Sequence, residues 1–469
     1  MKLPKWATAL DVFAVAMGLI ALSVAIGGGF RVWMFDARLS VMDWWRPALW
    51  SVVAVAIRHA VVRHDPLPQH VWRATLEWWR SPDRGVVLPL HLVSRLGALI
   101  IGFLGVILVG FPPEAANRWK IYNNDFLDLP ARWDTGWYLG IATEGYRYIA
   151  NAPENYQQNI AFFPAFPMLM RYLAVLLGRQ TVWVGVAISI VAFYLAMTYF
   201  LRFARLMLKD EQQAVTAVAL LAMYPFALFF STAYTEGLFL LTVIATVYHF
   251  HQRQWVRAFV WGVVSGLTRP NGSLLSIVLA LMAIAPLWDA ARKRVTMPAD
   301  GWGSLIRKIV VAGAPGYGML LFSAYIYTLT GNPFMWTRQN IAWGRVYRGL
   351  DSIVSDRVDF IAANGLYSYA STQTIDFFYA VFVALAVVAV WPVFRRFGVA
   401  YAAFILITIL PPMAAGGMLS MGRVTSVLFP VFLWLGGAIP DRHRVAWITA
   451  FAVLQSFVAV MFFTWRPLY

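Results

Sequence analysis

At 469 residues, 60% hydrophobic and 13% charged, the chain falls well short of the roughly one-quarter charged residues of soluble domains, which excludes an ordinary soluble globule. A mean hydropathy of +0.64 puts most segments in lipid, so a polytopic membrane protein with no separate soluble domain is expected. Lys and Arg outnumber Asp and Glu by 38 to 22; because they sit mostly in short loops they read as cytoplasmic anchors, not as a nucleic-acid surface, and the absence of Cys excludes disulfides and thiol chemistry.

Apolar runs fall at 8–29, 45–62, 92–111, 182–204, 213–231, 236–252, 256–270, 272–288, 309–330, 375–393, 398–413, 424–440 and 445–463. They predict an all-α membrane protein of about thirteen transmembrane helices. The first run follows Lys2 and Lys5 as a signal peptide would, yet it has the length of a span and no small-x-small site before Phe30. It is expected to be an uncleaved helix. Residues 63–91, basic and carrying Trp72, Trp78 and Trp79, predict a helix along the inner interface. Residues 1–91 then form an N-terminal pair of helices with a basic segment, and residues 92–469 the main membrane unit.

With the N-terminus inside, Arg63, Arg202, Arg205, Lys209, Lys293, Arg294, Arg395, Arg396 and Arg442 all fall on the inner side. The outside then holds two long connections, 112–181 and 331–374, and three short corners. Within the first, residues 161–178, flanked by Arg171 and Arg179, predict a helix along the outer interface. All seven histidines, His64 among them, fall inside, so any base acting outside must be a carboxylate.

The longest polar interval, residues 130–167, reads as an active-site loop. It opens with Arg132-Trp133-Asp134-Thr135-Gly136-Trp137-Tyr138 and closes with Ala161-Phe162-Phe163-Pro164, carrying carboxylates among aromatic rings instead of the Ser, Gly and Asn of a plain surface loop. Asp134 suits two roles: a helix N-cap ahead of Thr135, or a carboxylate that takes a proton from an acceptor hydroxyl. Asp125, Asp128 and Glu144 lie nearby, and Glu144 is a supporting catalytic candidate. Glu236, at an outer corner, either faces water or belongs to the site.

Arg269, in Thr268-Arg269-Pro270-Asn271-Gly272, is costly at membrane depth and is expected to face a cavity or an anion. Arg423 either snorkels outward or joins it, and the loop 331–348 adds Arg338, Arg345 and Arg348. Guanidiniums converging on one outer vestibule would clamp a phosphate through paired N–H donors. Neither a phosphate-cradling glycine loop nor a metal-ligand cluster occurs, so no metal and no cofactor is expected.

Taken together, Trp133-Asp134, Ile141-Ala142, Gly145-Tyr146, Ala161-Phe162-Phe163-Pro164 with Pro167, Tyr234-Thr235-Glu236 and Thr268-Arg269-Pro270-Asn271-Gly272 resemble the PIG-V type mannosyltransferases, of the GT-C membrane glycosyltransferases, over about residues 92–463. The resemblance implies a polyprenyl-phosphate-linked hexose, typically mannose, as donor, a lipid or glycan hydroxyl as acceptor, and inverting transfer on the outer face of the membrane. It places the catalytic carboxylate at Asp134, acting alone or with Asp128 or Glu144. Arg269, Arg423 and Arg345 are then donor phosphate ligands, with Trp133, Trp137, Tyr138, Phe162, Glu236 and Asn271 at the substrates. A GT-C enzyme with an arabinose or aminoarabinose donor is an alternative. So is a transporter or flippase, although the inverted halves and interrupted helices that it would need are not evident in the sequence.

Overall fold

The structure is a computed structural model that describes residues 5–27, 29–34, 37–62, 66–115, 118–176, 180–292, 301–347 and 349–468. Arg63, His64, Arg179, Lys293, Arg294 and Arg348 lie outside the described residues. The helices are α1 (Lys5–Gly27), α2 (Trp45–Val61), α3 (Leu67–Arg80), α4 (Pro82–Leu108), α5 (Thr135–Glu144), α6 (Ala165–Leu176), α7 (Thr181–Leu208), α8 (Glu211–Met223), α9 (Glu236–His251), α10 (Trp255–Thr268) and α11 (Leu275–Arg292). They continue as α12 (Gly301–Ala312), α13 (Ala314–Thr330), α14 (Met335–Arg338), α15 (Leu350–Asn364), α16 (Leu366–Thr372), α17 (Thr374–Phe397), α18 (Val399–Gly416), α19 (Met421–Ser426), α20 (Phe429–Ala438) and α21 (Asp441–Phe463).

Every apolar run of the sequence carries a helix. Among the described residues five helices, α4, α7, α17, α18 and α21, are long and apolar enough to cross a membrane, and up to seven if each of two bent pairs counts as one span. The chain is thus a multi-pass integral membrane protein. Helices α9, α10 and α20, with 16, 14 and 10 residues, are shorter than a straight crossing needs.

The expected all-α class holds, with one small addition: a two-stranded antiparallel ladder, Phe30–Met34 with Ala37–Val41, follows α1. One boundary is corrected: helix α4 begins ten residues before the expected apolar run, because Pro82 at its first turn suits a helix start and Val86, Val87, Leu88 and Leu90 already extend the apolar pattern.

The core lies where α4, α7, α8, α9, α20 and α21 meet, and α9 is buried on nearly every side, as a helix apolar all round should be. Helix α8 stops at Met223 because Pro225 offers no N–H, and the chain bends by 75° into a 3-10 turn, Pro225–Ser231. In lipid the carbonyls freed by that break need partners inside the protein. Arg95 of α4 supplies them, donating to the carbonyl oxygen of Ala227, to Ala222 O at 2.8 Å and to Ser231 Oγ at 3.0 Å. Gln455 of α21 adds bonds to Ala222 O at 3.1 Å and Tyr224 O at 2.8 Å.

Replacing Arg95 with Met is therefore expected to lower stability by on the order of 3 kcal/mol, since buried acceptors lose charge-assisted donors. Thermal unfolding in detergent measures it. An unchanged midpoint would mean that the bent segment is held from elsewhere.

Candidate active site

The bent segment leads into the corner Tyr234-Thr235-Glu236, and that corner faces the loop of residues 118–134. A cavity of about 1270 Å³ opens between these two parts, the 268–274 corner, residues 336–345, the stretch 411–424 from the end of α18 into α19, and residues 462–468. Asp134, Arg269, Arg345 and Arg423 all line it, together with Trp133, Trp137, Tyr138, Phe162 and Asn271.

Asp134 stands immediately before α5, yet its carboxylate makes no cap bond. It instead accepts from Arg423 Nη1 at 2.5 Å, across 289 residues of sequence. The cap reading of Asp134 is therefore set aside. Its backbone N–H donates to the Tyr234 hydroxyl at 3.0 Å, so the 234–236 corner fixes where the carboxylate sits.

Backbone strain marks the same place. Six non-glycine residues among those described have φ in the left-handed region, and three of them, Trp133 at 48°, Ser420 at 61° and Trp465 at 61°, line this cavity. Trp133 precedes Asp134, and Ser420 opens the short helix that carries Arg423. Such conformations cost energy for bulky residues and persist where surrounding contacts enforce them. Gly422 lets α19 approach closely, since a Cβ there would lie 2.4 Å from the Phe226 ring.

Glu236 does not line the cavity. At 1% exposure it lies behind the arginines, accepts a hydrogen bond from Arg269 Nη1, and is 3.6 Å from Arg423 Nε. The expected substrate contact is corrected to a buried counter-ion. Glu144 is also corrected: at the far end of α5 it faces solvent, paired with Arg147 at 3.1 Å. The ten residues separating it from Asp134 turn it to another face of the helix.

Asp128 is occupied elsewhere, its carboxylate accepting from the backbone N–H groups of Ile121, Tyr122 and Asn124 at 2.8, 2.9 and 3.2 Å. It shapes the loop. Asp125 pairs with Arg118 at 3.5 Å. Asp134 is left as the one carboxylate lining the cavity among the described residues.

The charges at the site do not balance. Three guanidiniums, of Arg269, Arg345 and Arg423, face two carboxylates, of Asp134 and Glu236, which leaves one positive charge. Arg345 carries the excess, having no carboxylate within ion-pair reach among the described residues. Burial, and then repulsion from Arg423 and Arg269, push its guanidinium down to about 10, against the pull of Asp134. It stays protonated at neutral pH and needs an anion.

Around the charges lies an aromatic wall. Trp137 stacks on Phe162 with centroids 5.7 Å apart, and Trp343 meets both edge-on at 5.5 Å. Tyr138 is buried with its ring edge-on to Phe162 at 5.3 Å. Trp119, Trp465, Phe462 and the pair Pro411-Pro412 also line the cavity and were not expected from sequence. Their sequence separation hid them. A cavity with one carboxylate, surplus guanidinium charge and broad ring faces can hold an anionic headgroup, a sugar ring and an apolar chain together. Among the described residues no three His, Asp or Glu side chains gather as metal ligands.

A family model described as mannosyltransferase (PIG-V) matches residues 108–333, a shorter stretch than the resemblance suggested. It includes Asp134, Glu236 and Arg269 and excludes Arg345 and Arg423. GPI alpha-1,6-mannosyltransferase 2 of Homo sapiens is 27% identical over 214 residues, covering 42% of this chain and 42% of that protein. Its counterpart from Cricetulus griseus is 31% identical over 225 residues, covering 44% of each. The chain thus spans less than half the length of these curated relatives. Among solved structures, the apo oligosaccharyltransferase of Archaeoglobus fulgidus aligns with a TM-score of 0.42 and 15% identity over 80% of this chain and 56% of that one.

Proposed function

We propose, from the match of residues 108–333 to the PIG-V mannosyltransferase model, that the chain is a member of that family and an inverting membrane glycosyltransferase of GT-C architecture. It moves mannose from a polyprenyl-phosphate donor to a hydroxyl of a lipid-linked or glycan acceptor on the outer face of the membrane. The observation that carries this reading is the meeting of Asp134 with Arg269, Arg345 and Arg423 in one aromatic cavity.

In the proposed step the acceptor hydroxyl attacks the anomeric carbon as Asp134 takes its proton. The bond from that carbon to the phosphate oxygen breaks, and polyprenyl phosphate leaves with an additional negative charge. One displacement inverts the anomeric centre. Guanidiniums already in place stabilise the charge as it develops on the leaving group without reorganising at that moment. The surplus charge of Arg345 matches the single negative charge of a phosphodiester donor. Rings of Trp133, Trp137, Tyr138 and Phe162 border the space where sugar or isoprenoid would lie. About thirteen crossings, with the cavity on the non-cytoplasmic side, are part of the same proposal.

Membranes containing the protein, incubated with radiolabelled polyprenyl-phosphate mannose, glucose or arabinose, should yield a labelled product from mannose. Labelling from arabinose alone would move the assignment to the other donor class. A transporter also finds support in the structure, because two helix pairs are broken, by 75° and 46°. Acceptor-dependent release of polyprenyl phosphate in detergent separates the two, since a transporter forms no new bond.

A further inference from the structure

Arg423 sits between two carboxylates and is satisfied by only one. Its Nη1 is bonded to Asp134, while its Nε, 3.6 Å from Glu236, has no hydrogen-bond partner. Glu236 mirrors this, with Oε1 on Arg269 and a buried Oε2 that is also unpartnered. Buried polar groups are rarely left in this state, and each such pair calls for an explanation. The Asp134 oxygen that Arg423 occupies is moreover not free to accept a hydrogen bond from an acceptor hydroxyl while that pair is made.

We propose that Arg423 exchanges partners. In the empty site it holds Asp134; when the donor binds, it turns to the phosphate and to Glu236, and Asp134 is released as the base. Glu236 is then a positioning residue that acts through Arg423, and the base is freed only once a donor is in place. The inference rests on the proposed use of the cavity for a polyprenyl-phosphate sugar. The groups around Asp134 fit the exchange: Arg269 donates a hydrogen bond to Glu236 and holds it in place, Arg345 adds a second seat for phosphate, and Tyr234 holds the Asp134 backbone still as its side chain is freed.

Binding of undecaprenyl phosphate to detergent-purified protein tests this without turnover. Asp134 and phosphate compete for one guanidinium, so Asp134→Asn is expected to tighten binding by about tenfold, a usual size for coupling between two sites. In an Arg423→Met background the same change should leave the Kd where it was. Equal tightening in both backgrounds, which a purely through-space effect would give, overturns the exchange, as does no tightening with Arg423 present. If Arg423→Met does not fold, Glu236→Gln decides by kinetics. The expected result is a kcat about tenfold lower with no rise in donor KM, since Glu236 does not touch the donor. A raised KM with kcat intact overturns it. A native protein that neither binds undecaprenyl phosphate nor uses any polyprenyl-phosphate sugar instead removes the underlying functional reading, which is a different result.

Discussion

Asp134→Asn is expected to cut mannosyl transfer by about 10²- to 10⁴-fold, the usual worth of a positioned general base, while the protein folds and still binds donor. Asn keeps the size of the side chain and can still accept from Arg423, so the fold loses little. What it cannot do is take up a proton. Asp128→Asn should behave differently: its carboxylate holds three backbone N–H groups, so the change should loosen the loop and lower stability. The two variants, compared by initial rate and by thermal unfolding, separate chemistry from scaffolding. Full turnover by Asp134→Asn would remove this residue from the mechanism.

Arg269→Ala should fail in two ways at once. Glu236, at 1% exposure, would lose its closest cation, and breaking a buried pair from one side costs about 3–5 kcal/mol. The leaving phosphate would also lose a donor, worth about 10²- to 10³-fold in kcat by analogy with other preorganised anion sites. Arg269→Lys separates the effects. A lysine restores the charge beside Glu236 and hence most of the stability, but it cannot reproduce the planar fork, so kcat should stay at least about tenfold low. A Lys variant with native kcat would show that Arg269 supplies charge to Glu236 and nothing to the phosphate.

The chain's own chemistry determined a good deal before any fold was known. Apolar runs must become helices in lipid, because every backbone N–H and C=O there needs a partner within the chain, and each run does carry one. Cost at membrane depth likewise singled out Arg269 as a residue expected to face a cavity or an anion, while leaving Arg423 open between snorkelling outward and joining it. The tertiary structure alone decided which side chains meet. Asp134 and Arg423 are joined across 289 residues, a distance over which neither hydropathy nor local spacing carries information. The same local rules placed Glu144 and Glu236 near the site by sequence order, whereas one faces solvent beside Arg147 and the other lies behind two arginines. Trp465 and Trp119 were invisible for the same reason: a wall built from distant segments exists only after those segments pack. Local sequence sets what each segment can be; packing sets which charges find one another.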